Sequence, residues 1–283
     1  MAEIVYKEEG KHCAFTDLAF HDRYYYLCFR IGNEHMFGKS HILIMRSRDG
    51  KKWEKYSRTC DYLDIRDPRL MVDQNKLFLI ANFLVHDKQI VKTGFLVKGK
   101  ITDGYTKTII IKGSENKFAT SISKLKAFCY DPTTNGRNSV FNIETGGEET
   151  LPSFEDSTEG AFYGRSVFVR RDYSQNYWLK ATENGYGIEA TKYMIHCPYI
   201  FQSKLLGREI NTDVDPYDWN DLWNNQSKLK MWEIKKDLTL KEIKIFNANV
   251  DCGYFGYANG LVSYYSNYDK SKPEETAIFI EKI

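Results

Sequence analysis

Residues 24–53 read YYYLCFRIGNEHMFGKSHILIMRSRDGKKW, and this stretch decides the fold class. It holds two runs rich in aromatic and branched side chains, Tyr24–Arg30 and His41–Arg46, which favour β-strands. A third strand-like run, Ala14–Phe20, precedes them, and a turn at Arg48-Asp49-Gly50 follows. Three short strands that end in a turn are most of one blade of a β-propeller.

The same pattern recurs along the chain at a spacing of about 45 to 50 residues, which suits four-stranded blades. The later strand-like runs, grouped by blade, are Arg69–Val72, Leu77–Phe83 and Gly94–Val97; Lys124–Tyr130 and Ser139–Ile143; Gly160–Tyr163, Ser166–Arg170 and Tyr177–Ala181; Tyr199–Phe201, Leu205–Ile210 and Leu229–Ile234; Gly253–Tyr257, Leu261–Tyr265 and Ala277–Ile280. We therefore predict an all-β chain, one propeller domain over residues 1–283 with six blades. The uneven spacing leaves five blades as an alternative.

Composition and charge narrow the function classes. The chain has 283 residues, 42% of them hydrophobic, which is enough for one full core. Lys and Arg number 40 against 38 Asp and Glu, and neither end carries a block of like charge. We therefore expect no nucleic-acid partner and no anionic membrane surface as a partner. No apolar run is long enough to span a bilayer.

The N-terminal residues and the cysteines indicate a reducing compartment. Residues 1–10 hold three glutamates and a lysine and lack an apolar h-region, so no secretory signal is predicted. The six cysteines lie far apart without a C-x-x-C pair. Buried free thiols are the favoured interpretation, and a disulfide or a zinc site are the alternatives. We predict a cytoplasmic protein, with action inside a host cell as an alternative.

The turn after the third strand carries a recognisable motif. Ser47-Arg48-Asp49-Gly50-Lys51-Lys52-Trp53 resembles the Asp-box, whose core is S-x-D-G-x-x-W. Ser and Asp side chains can accept from or donate to nearby backbone groups, Gly permits positive φ, and Trp packs back onto the blade. The motif is therefore interpreted as structural, away from any pocket.

Longer anchors resemble the sialidase-like propeller family. The opening stretch His12-Cys13-Ala14-Phe15-Thr16-Asp17-Leu18, with Arg30, Gly32 and His35, is similar to the first blade of that family. The other anchors are Asp64-Ile65-Arg66-Asp67-Pro68-Arg69-Leu70, Thr158-Glu159-Gly160-Ala161 with Val169-Arg170-Arg171, and Asp251-Cys252-Gly253-Tyr254-Phe255-Gly256 with Leu261-Val262-Ser263-Tyr264-Tyr265-Ser266. The resemblance is weak over residues 98–154.

The resemblance implies a set of site residues. Retaining sialidases use a Tyr nucleophile with a Glu base, an Asp acid/base and three Arg that hold the substrate carboxylate. Tyr254 falls near the nucleophile position and Glu159 near its partner. Three arginines match possible carboxylate clamps: Arg66, Arg171 and Arg208. The first clamp of the family lies in an R-I-P motif, and the equivalent stretch here, residues 15–18, has no arginine.

A second resemblance uses some of the same residues differently. Propeller glycosidases of the arabinanase and fructosidase type carry three acids on the inner strands of successive blades. Asp17, Asp67 and Glu159 imitate that layout, although Glu159 lies on the fourth inferred blade rather than the third. Acids crowded in one pocket would raise each other's pKa, so that one could stay protonated as a general acid. The catalytic candidates are therefore Asp17, Asp67, Glu159 and Tyr254.

The remaining candidates have structural alternatives. Arg30 and Asp251 are counted with the substrate-binding residues, although Arg30 ends a strand and could simply pair with Asp17 or Glu34. His12 and His35 match family positions, but no His–carboxylate cluster shows ligand spacing, so no metal and no cofactor are predicted. Of Arg170 and Arg171, which face opposite ways on a strand, Arg171 is chosen for the pocket.

Three functions stay open. The first is a glycoside hydrolase that acts on a carbohydrate in the central pocket, and whether the chain is an enzyme is itself left open. The second is an inactive propeller that binds a glycan or another small anionic ligand. The third is a protein-interaction platform that uses the polar, aromatic loop at residues 211–227.

Overall fold

The structure, a computed structural model, describes residues 2–35, 37–62, 64–87, 90–134, 136–210, 228–249, 251–269, 271–272 and 274–283. These residues form strands, turns and bends, and none of them lies in a helix of the length and apolarity that a membrane crossing requires. The strands group into six sheets, one per blade. The predicted all-β class and the six-bladed propeller are therefore confirmed.

The strands of each blade run outward from the centre of the ring. Blades 1 to 3 consist of β2 (His12–His21), β3 (Tyr24–Gly32), β4 (Ser40–Ser47) and β5 (Glu54–Arg58) with β9 (Gly104–Tyr105) at the edge; β6 (Ile65–Asp73), β7 (Lys76–Asp87), β8 (Ile90–Lys100) and β10 (Ile109–Ile110); β11 (Phe118–Ser123), β12 (Lys126–Tyr130), β13 (Asn138–Asn142) and β14 (Glu148–Thr150). Blades 4 to 6 consist of β15 (Ser157–Tyr163), β16 (Ser166–Arg171), β17 (Tyr177–Thr182) and β18 (Gly185–Ala190); β19 (Ile195–Phe201), β20 (Lys204–Glu209), β21 (Lys228–Ile234) and β22 (Leu240–Ile245); β23 (Cys252–Ala258), β24 (Leu261–Asn267), β25 (Thr276–Lys282) and β1 (Glu3–Tyr6).

The two ends of the chain close the ring. β1 pairs antiparallel with β25 and so supplies the outermost strand of blade 6, with Glu3 opposite Ile280. The innermost strands of blades 6 and 1, β23 and β2, also contact each other directly. The first and last blades therefore meet as a packed joint, which leaves no open gap in the ring.

The core lies between blades, because each sheet is covered on both faces by its neighbours. Blades 4 and 5 enclose Trp178 and Trp232, which are fully buried together with Phe168 and Leu205. The first seven residues of β2 are all buried and do not alternate with exposed ones. Both faces of this inner strand are therefore covered, and polar residues on it, such as Thr16 and Asp17, are buried too.

Each of the six innermost strands carries a β-bulge at an equivalent place. The register shifts fall between Ala14 and Asp17, Arg66 and Arg69, Ala119 and Ser121, Ser157 and Gly160, His196 and Tyr199, and Gly253 and Gly256. In four of these bulges a non-glycine residue has positive φ, namely Phe15 (60°), Asp67 (47°), Cys197 (53°) and Tyr254 (44°). A left-handed residue in a bulge re-aims its side chain, and such strained positions cluster at functional sites.

The turn after β4 is held by short local hydrogen bonds. Asp49 Oδ1 accepts from the backbone N–H groups of Lys51 and Lys52, each at 2.9 Å. These two bonds lower the pKa of Asp49 to about 2. Trp53 Nε1 donates to the Gly50 carbonyl at 3.3 Å. Asp49 is therefore engaged in its own turn, on the outer part of blade 1.

Several features of the fold differ from the sequence interpretation. Edge strands that are short, polar or exposed were not predicted, among them β1, β14, β18 and β22. Pro68, expected to precede a strand, lies inside β6 at its bulge, where a missing N–H is tolerated. By contrast, all six cysteines are free and five are buried, which agrees with the favoured interpretation of the sequence. The loop at residues 211–227 lies outside the described residues.

The joint between blades 6 and 1 predicts a sensitive glycine. A Cβ added at Gly256 would lie 2.1 Å from the backbone nitrogen of Leu18. We expect Gly256→Ala to lower the free energy of unfolding by about 3 kcal/mol or more, because the backbones of two innermost strands must separate. Gly187→Ala is the control, since its Cβ would meet only Thr182 Cγ2 at 3.7 Å. Urea unfolding of both variants measures the difference, and equal stabilities would contradict this account of the joint.

Candidate functional site

The centre of the site is a hydrogen bond between residues from two bulges. Tyr254 on β23 donates its hydroxyl hydrogen to Glu159 Oε1 on β15, at 2.7 Å between the oxygens. Glu159 is buried, whereas Tyr254 is half-buried. The bulges thus bring together two residues that are 95 positions apart in the chain. This is the pair that the sequence predicted for nucleophile and base.

Glu159 is held as a carboxylate by three hydrogen-bond donors. Arg170 Nη1 lies 2.9 Å from Glu159 Oε2, and the backbone N–H of Cys197 donates to the same oxygen at 2.7 Å. Burial alone would raise the pKa of Glu159, but the charge of Arg170 and the hydrogen bonds from Arg170, Tyr254 and Cys197 outweigh it. The pKa of Glu159 is therefore lower than usual, and the group is ionised at neutral pH.

Tyr254 has the opposite electrostatic environment. Burial raises its pKa well above the ordinary value, and the negative charges of Asp67 and Glu159 raise it further. The phenol is therefore neutral at neutral pH. It can lose its proton only as that proton moves to an adjacent base, and Glu159 Oε1 is in position to accept it.

Asp67 is the second acid near this pair. The pKa of Asp67 is raised to about 6, because burial, the largest influence, together with the charge of Glu159 outweighs the charges of Arg66 and Arg69. Its Oδ2 accepts only a long hydrogen bond of 3.4 Å from Asn82, and its Oδ1 has no partner among the described residues. Asp67 therefore differs from Glu159 in having no direct ion pair, and it is the group best placed to carry a proton.

Arginines face the bulges from the second strand of three blades. Arg30 on β3 lies opposite Ala14 on β2, and Arg208 on β20 lies opposite His196 on β19. Arg170 on β16 lies across from the bulge of β15. Arg30 is fully buried, with Nη1 donating to the Glu34 carbonyl at 2.7 Å. This pattern surrounds the site with positive charge.

Arg30 and Arg170 have carboxylate partners. So does Arg66, which lies on the innermost strand of blade 2. Arg66 grips Asp64 with two hydrogen bonds of 3.0 and 2.7 Å, and Arg30 Nη2 lies 3.9 Å from the same carboxylate. Arg170 also contacts Asp172, at 2.9 Å. Arg208 differs, because within the described part of the chain it has no carboxylate partner and donates only to the Cys252 carbonyl, at 3.3 Å. The charge of Arg208 is therefore not neutralised by a carboxylate of the described residues.

The structure places two predicted residues away from the pair. Arg171 turns outward and contacts Asp156 at 2.6 Å, so Arg170, and not Arg171, reaches Glu159. Asp17 lies beyond its bulge, where its carboxylate accepts from the backbone N–H groups of Leu18 and Leu70. It lines a separate cavity of about 170 Å³ with Arg69 and Tyr199, and burial raises its pKa to about 6. Asp17 is not part of the Tyr254 cluster.

Asp251, another binding candidate, lies in a different cluster. Its Oδ2 is 2.8 Å from His12 Nε2 and 3.4 Å from His35 Nδ1, and its Oδ1 accepts from Tyr265 at 3.0 Å. The ring of Phe15 separates this cluster from the pair, with centroid distances of 5.5 Å to His35 and 4.8 Å to Tyr254. Phe15 thus occupies the bulge where the first clamp of a sialidase was expected.

Sequence reasoning missed three residues of the site. Arg170 could not be preferred over Arg171 because both faces of β16 are covered by neighbouring blades. Asp64 could have been found, since it lies two residues before Arg66, next to the start of β6, and carries the opposite charge. Asn82 has no sequence pattern that marks it as a site residue. It positions the backbone of Ala119 by hydrogen bonds of 2.8 and 2.9 Å, and it also donates to Asp67.

The β-propeller fold of this chain also occurs in glycoside hydrolases. Among solved structures the chain is similar to sialidases and to GH43 enzymes, two groups of that class. No protein-family model matches the sequence, and the search of curated proteins found no match.

The individual structures show the extent of the likeness. The sialidase of Trypanosoma rangeli in complex with the inhibitor DANA has a TM-score of 0.64 and 10% identity, over 99% of this chain and 59% of that one. The same sialidase with sialic acid has a TM-score of 0.62 and 9% identity. The GH43_1 enzyme from Xanthomonas citri has a TM-score of 0.53 and 8% identity, over 86% of this chain and 93% of that one. The chain thus spans under two thirds of the sialidase, and at these identities the likeness is one of fold.

The two adjacent arginines of β16 predict unequal effects on stability. Arg170→Gln leaves the buried Glu159 charge unpaired and should cost about 3–5 kcal/mol at pH 7. Arg171→Gln removes a partly exposed ion pair and should cost about 0–1 kcal/mol. Because the folded-state pKa of Glu159 is lowered, the stability that its charge contributes is lost as the pH falls from the unfolded value of about 4.3 through the folded-state pKa, so the difference between the two variants should narrow over that range. Urea unfolding at pH 7 and pH 4 measures this, and equal losses at pH 7 would contradict the assignment.

Proposed function

We propose that the protein is a glycoside hydrolase that cleaves the bond to an anionic sugar at the Tyr254–Glu159 pair. The observation that carries this proposal is the 2.7 Å hydrogen bond from Tyr254 Oη to Glu159 Oε1. A neutral hydroxyl whose proton is bound to an ionised carboxylate is an activated nucleophile. A neutral nucleophile also approaches an anionic sugar without the repulsion that a carboxylate would meet.

The proposed reaction has two steps. In the first, Tyr254 Oη forms a bond to the anomeric carbon, its proton passes to Glu159, and the bond from that carbon to the leaving oxygen breaks. Asp67 gives its proton to the leaving oxygen. In the second step, water attacks the anomeric carbon and gives a proton to Asp67, while Tyr254 leaves and recovers its proton from Glu159. Both protons and both bonds balance over the cycle, and the stereochemistry is retained.

The pKa values support this division of roles. A general acid has to be protonated near the working pH, and the pKa of Asp67 is raised to about 6. A general base has to be ionised, and the pKa of Glu159 is lowered by Arg170. Two carboxyls with opposite shifts in one site are the usual sign of an acid and a base.

The charge around the pair supports an acidic sugar. Arg208 has no carboxylate partner among the described residues, and a guanidinium fork binds a carboxylate with two hydrogen bonds. Phe15 replaces the first arginine clamp of a sialidase. We therefore propose a sugar acid whose carboxylate is held differently from that of sialic acid. The Trypanosoma neighbour binds sialic acid and a GH43_1 neighbour binds xylotriose, so a carbohydrate ligand is common to both.

The test compares turnover of aryl glycosides by variants that change one atom at the pair. The panel contains a sialoside, a glucuronide and a neutral xyloside. We expect turnover of an acidic glycoside, and a loss of kcat of about 10²–10⁴-fold in Tyr254→Phe and in Glu159→Gln. Tyr257→Phe is the control, because Tyr257 lies on the same strand and its ring stacks on Phe201 at 3.8 Å.

Two outcomes would contradict the proposal. One is turnover that Tyr254→Phe leaves unchanged. The other is a folded wild-type protein that binds an acidic sugar, by calorimetry, but turns over no glycoside of that sugar, which would favour an inactive ligand-binding propeller.

The Asp67 assignment predicts the shape of the pH profile. Because Asp67 has to be protonated in the first step, kcat/KM should fall as the pH rises through about 6. Asp67→Asn should remove this limb and lower the maximum. The charged and titratable groups that act on Asp67 are Arg66, Arg69, Glu159, Tyr130 and Tyr254. A basic limb of the profile that persists in Asp67→Asn would show that another group is the acid.

A further inference from the structure

A second cluster of polar side chains lies on the other side of Phe15 from the pair. Its three members are far apart in sequence: His12 begins β2, His35 follows β3, and Asp251 precedes β23. The three facing atoms form a small triangle. His12 Nε2 lies 2.8 Å from Asp251 Oδ2 and 3.2 Å from His35 Nδ1, and the third side, from His35 Nδ1 to Asp251 Oδ2, is 3.4 Å.

This triangle has the dimensions of one face of a coordination polyhedron. First-row divalent cations bind imidazole nitrogen and carboxylate oxygen at about 2.0–2.2 Å. Ligand atoms that share such a cation lie about 3 Å apart, so one ion placed just above the triangle can reach all three atoms. The hydrogen bonds within the triangle place protons between the facing atoms, and a cation that binds there would take their place and release them.

The surroundings hold the triangle in place. Tyr265 donates to Asp251 Oδ1 at 3.0 Å, which leaves Oδ2 directed at the histidines. The ring of His12 packs against Phe15 and Tyr265, with centroid distances of 5.9 and 5.8 Å. Ligands fixed by an outer shell of hydrogen bonds and packing are typical of metal sites.

One side of the triangle is open. His12 and Asp251 are buried, but 37% of the His35 side chain is exposed. An ion could therefore enter at His35 and keep positions for water or a ligand, as catalytic sites with three protein ligands do.

The ligand set selects the class of ion. Two imidazoles and one carboxylate suit zinc, iron, cobalt and nickel, whereas magnesium and calcium prefer oxygen ligands alone. We propose that His12, His35 and Asp251 form a binding site for a divalent first-row transition cation such as Zn²⁺. The site does not depend on the proposed hydrolase activity. An ion bound there would add its positive charge to that of Arg30 in the same part of the propeller.

The test measures binding of Zn²⁺ alone to the full chain without an affinity tag, after removal of metal by a chelator. Isothermal titration should give one Zn²⁺ per chain, with no heat from Mg²⁺. His35→Ala and His35→Gln should each weaken Zn²⁺ binding by about 100-fold or more while keeping the buried His12–Asp251 contact. The control is His41→Ala, because His41 also faces one carboxylate, Asp61 at 3.2 Å.

A second readout is structural. Zn²⁺ should raise the unfolding temperature of the wild type and of His41→Ala, and it should leave that of His35→Ala unchanged, since only a folded chain assembles the three ligands. The proposal is overturned if the wild type binds no Zn²⁺, if both His35 variants bind it as tightly as the wild type, or if His41→Ala loses binding to the same extent.

Discussion

The bulge in each innermost strand is the constraint on which the rest of the site depends. Without it, strand pairing would continue undisturbed and the residues at the centre would follow the plain alternation of a sheet. With it, Phe15, Asp67, Cys197 and Tyr254 adopt left-handed backbone angles, each at a cost of about 1–3 kcal/mol. The packed ring of blades holds these backbone angles, because each innermost strand contacts the innermost strands of the blades on both sides. The fold thereby brings side chains from blades 2, 4 and 6 to one place.

The second organising feature is the difference in pKa between two buried acids. Glu159 and Asp67 are both buried, and burial favours the protonated form of each. Glu159 is returned to the ionised form by direct contact with Arg170, whereas Asp67 has only the more distant charges of Arg66 and Arg69. Direct hydrogen bonding therefore separates the two pKa values.

The sequence was informative where the signal was local. Strand-forming runs and the S-x-D-G-x-x-W turn predicted a propeller, because blades are built from neighbouring segments. The pairing of Tyr254 with Glu159 came from the resemblance to sialidases, and the structure places the two within a hydrogen bond. Whether they act as nucleophile and base is still a prediction.

The sequence did not predict the contacts that form between segments far apart in the chain. The pairing of β1 with β25 joins two ends that carry no matching pattern. The triangle of His12, His35 and Asp251 was missed because its carboxylate is 216 residues away from His35, so ligand spacing had no meaning along the chain. The sequence could not decide which of Arg170 and Arg171 contacts Glu159 for a related reason, since alternation gives two faces and does not say which one meets the centre. Asp17 was included because it imitates one acid of the arabinanase and fructosidase layout, and in the structure its carboxylate accepts from two backbone N–H groups.

The most direct test of the central claim is to trap the sugar on the protein. A fluorinated analogue of the cleaved sugar, with a good leaving group, should form the first covalent bond and then react slowly with water. Peptide mass spectrometry of the treated protein should find the added sugar on Tyr254, and Glu159→Gln should prevent labelling. A label on an aspartate or glutamate, or an active protein that is never labelled, would contradict a tyrosine nucleophile.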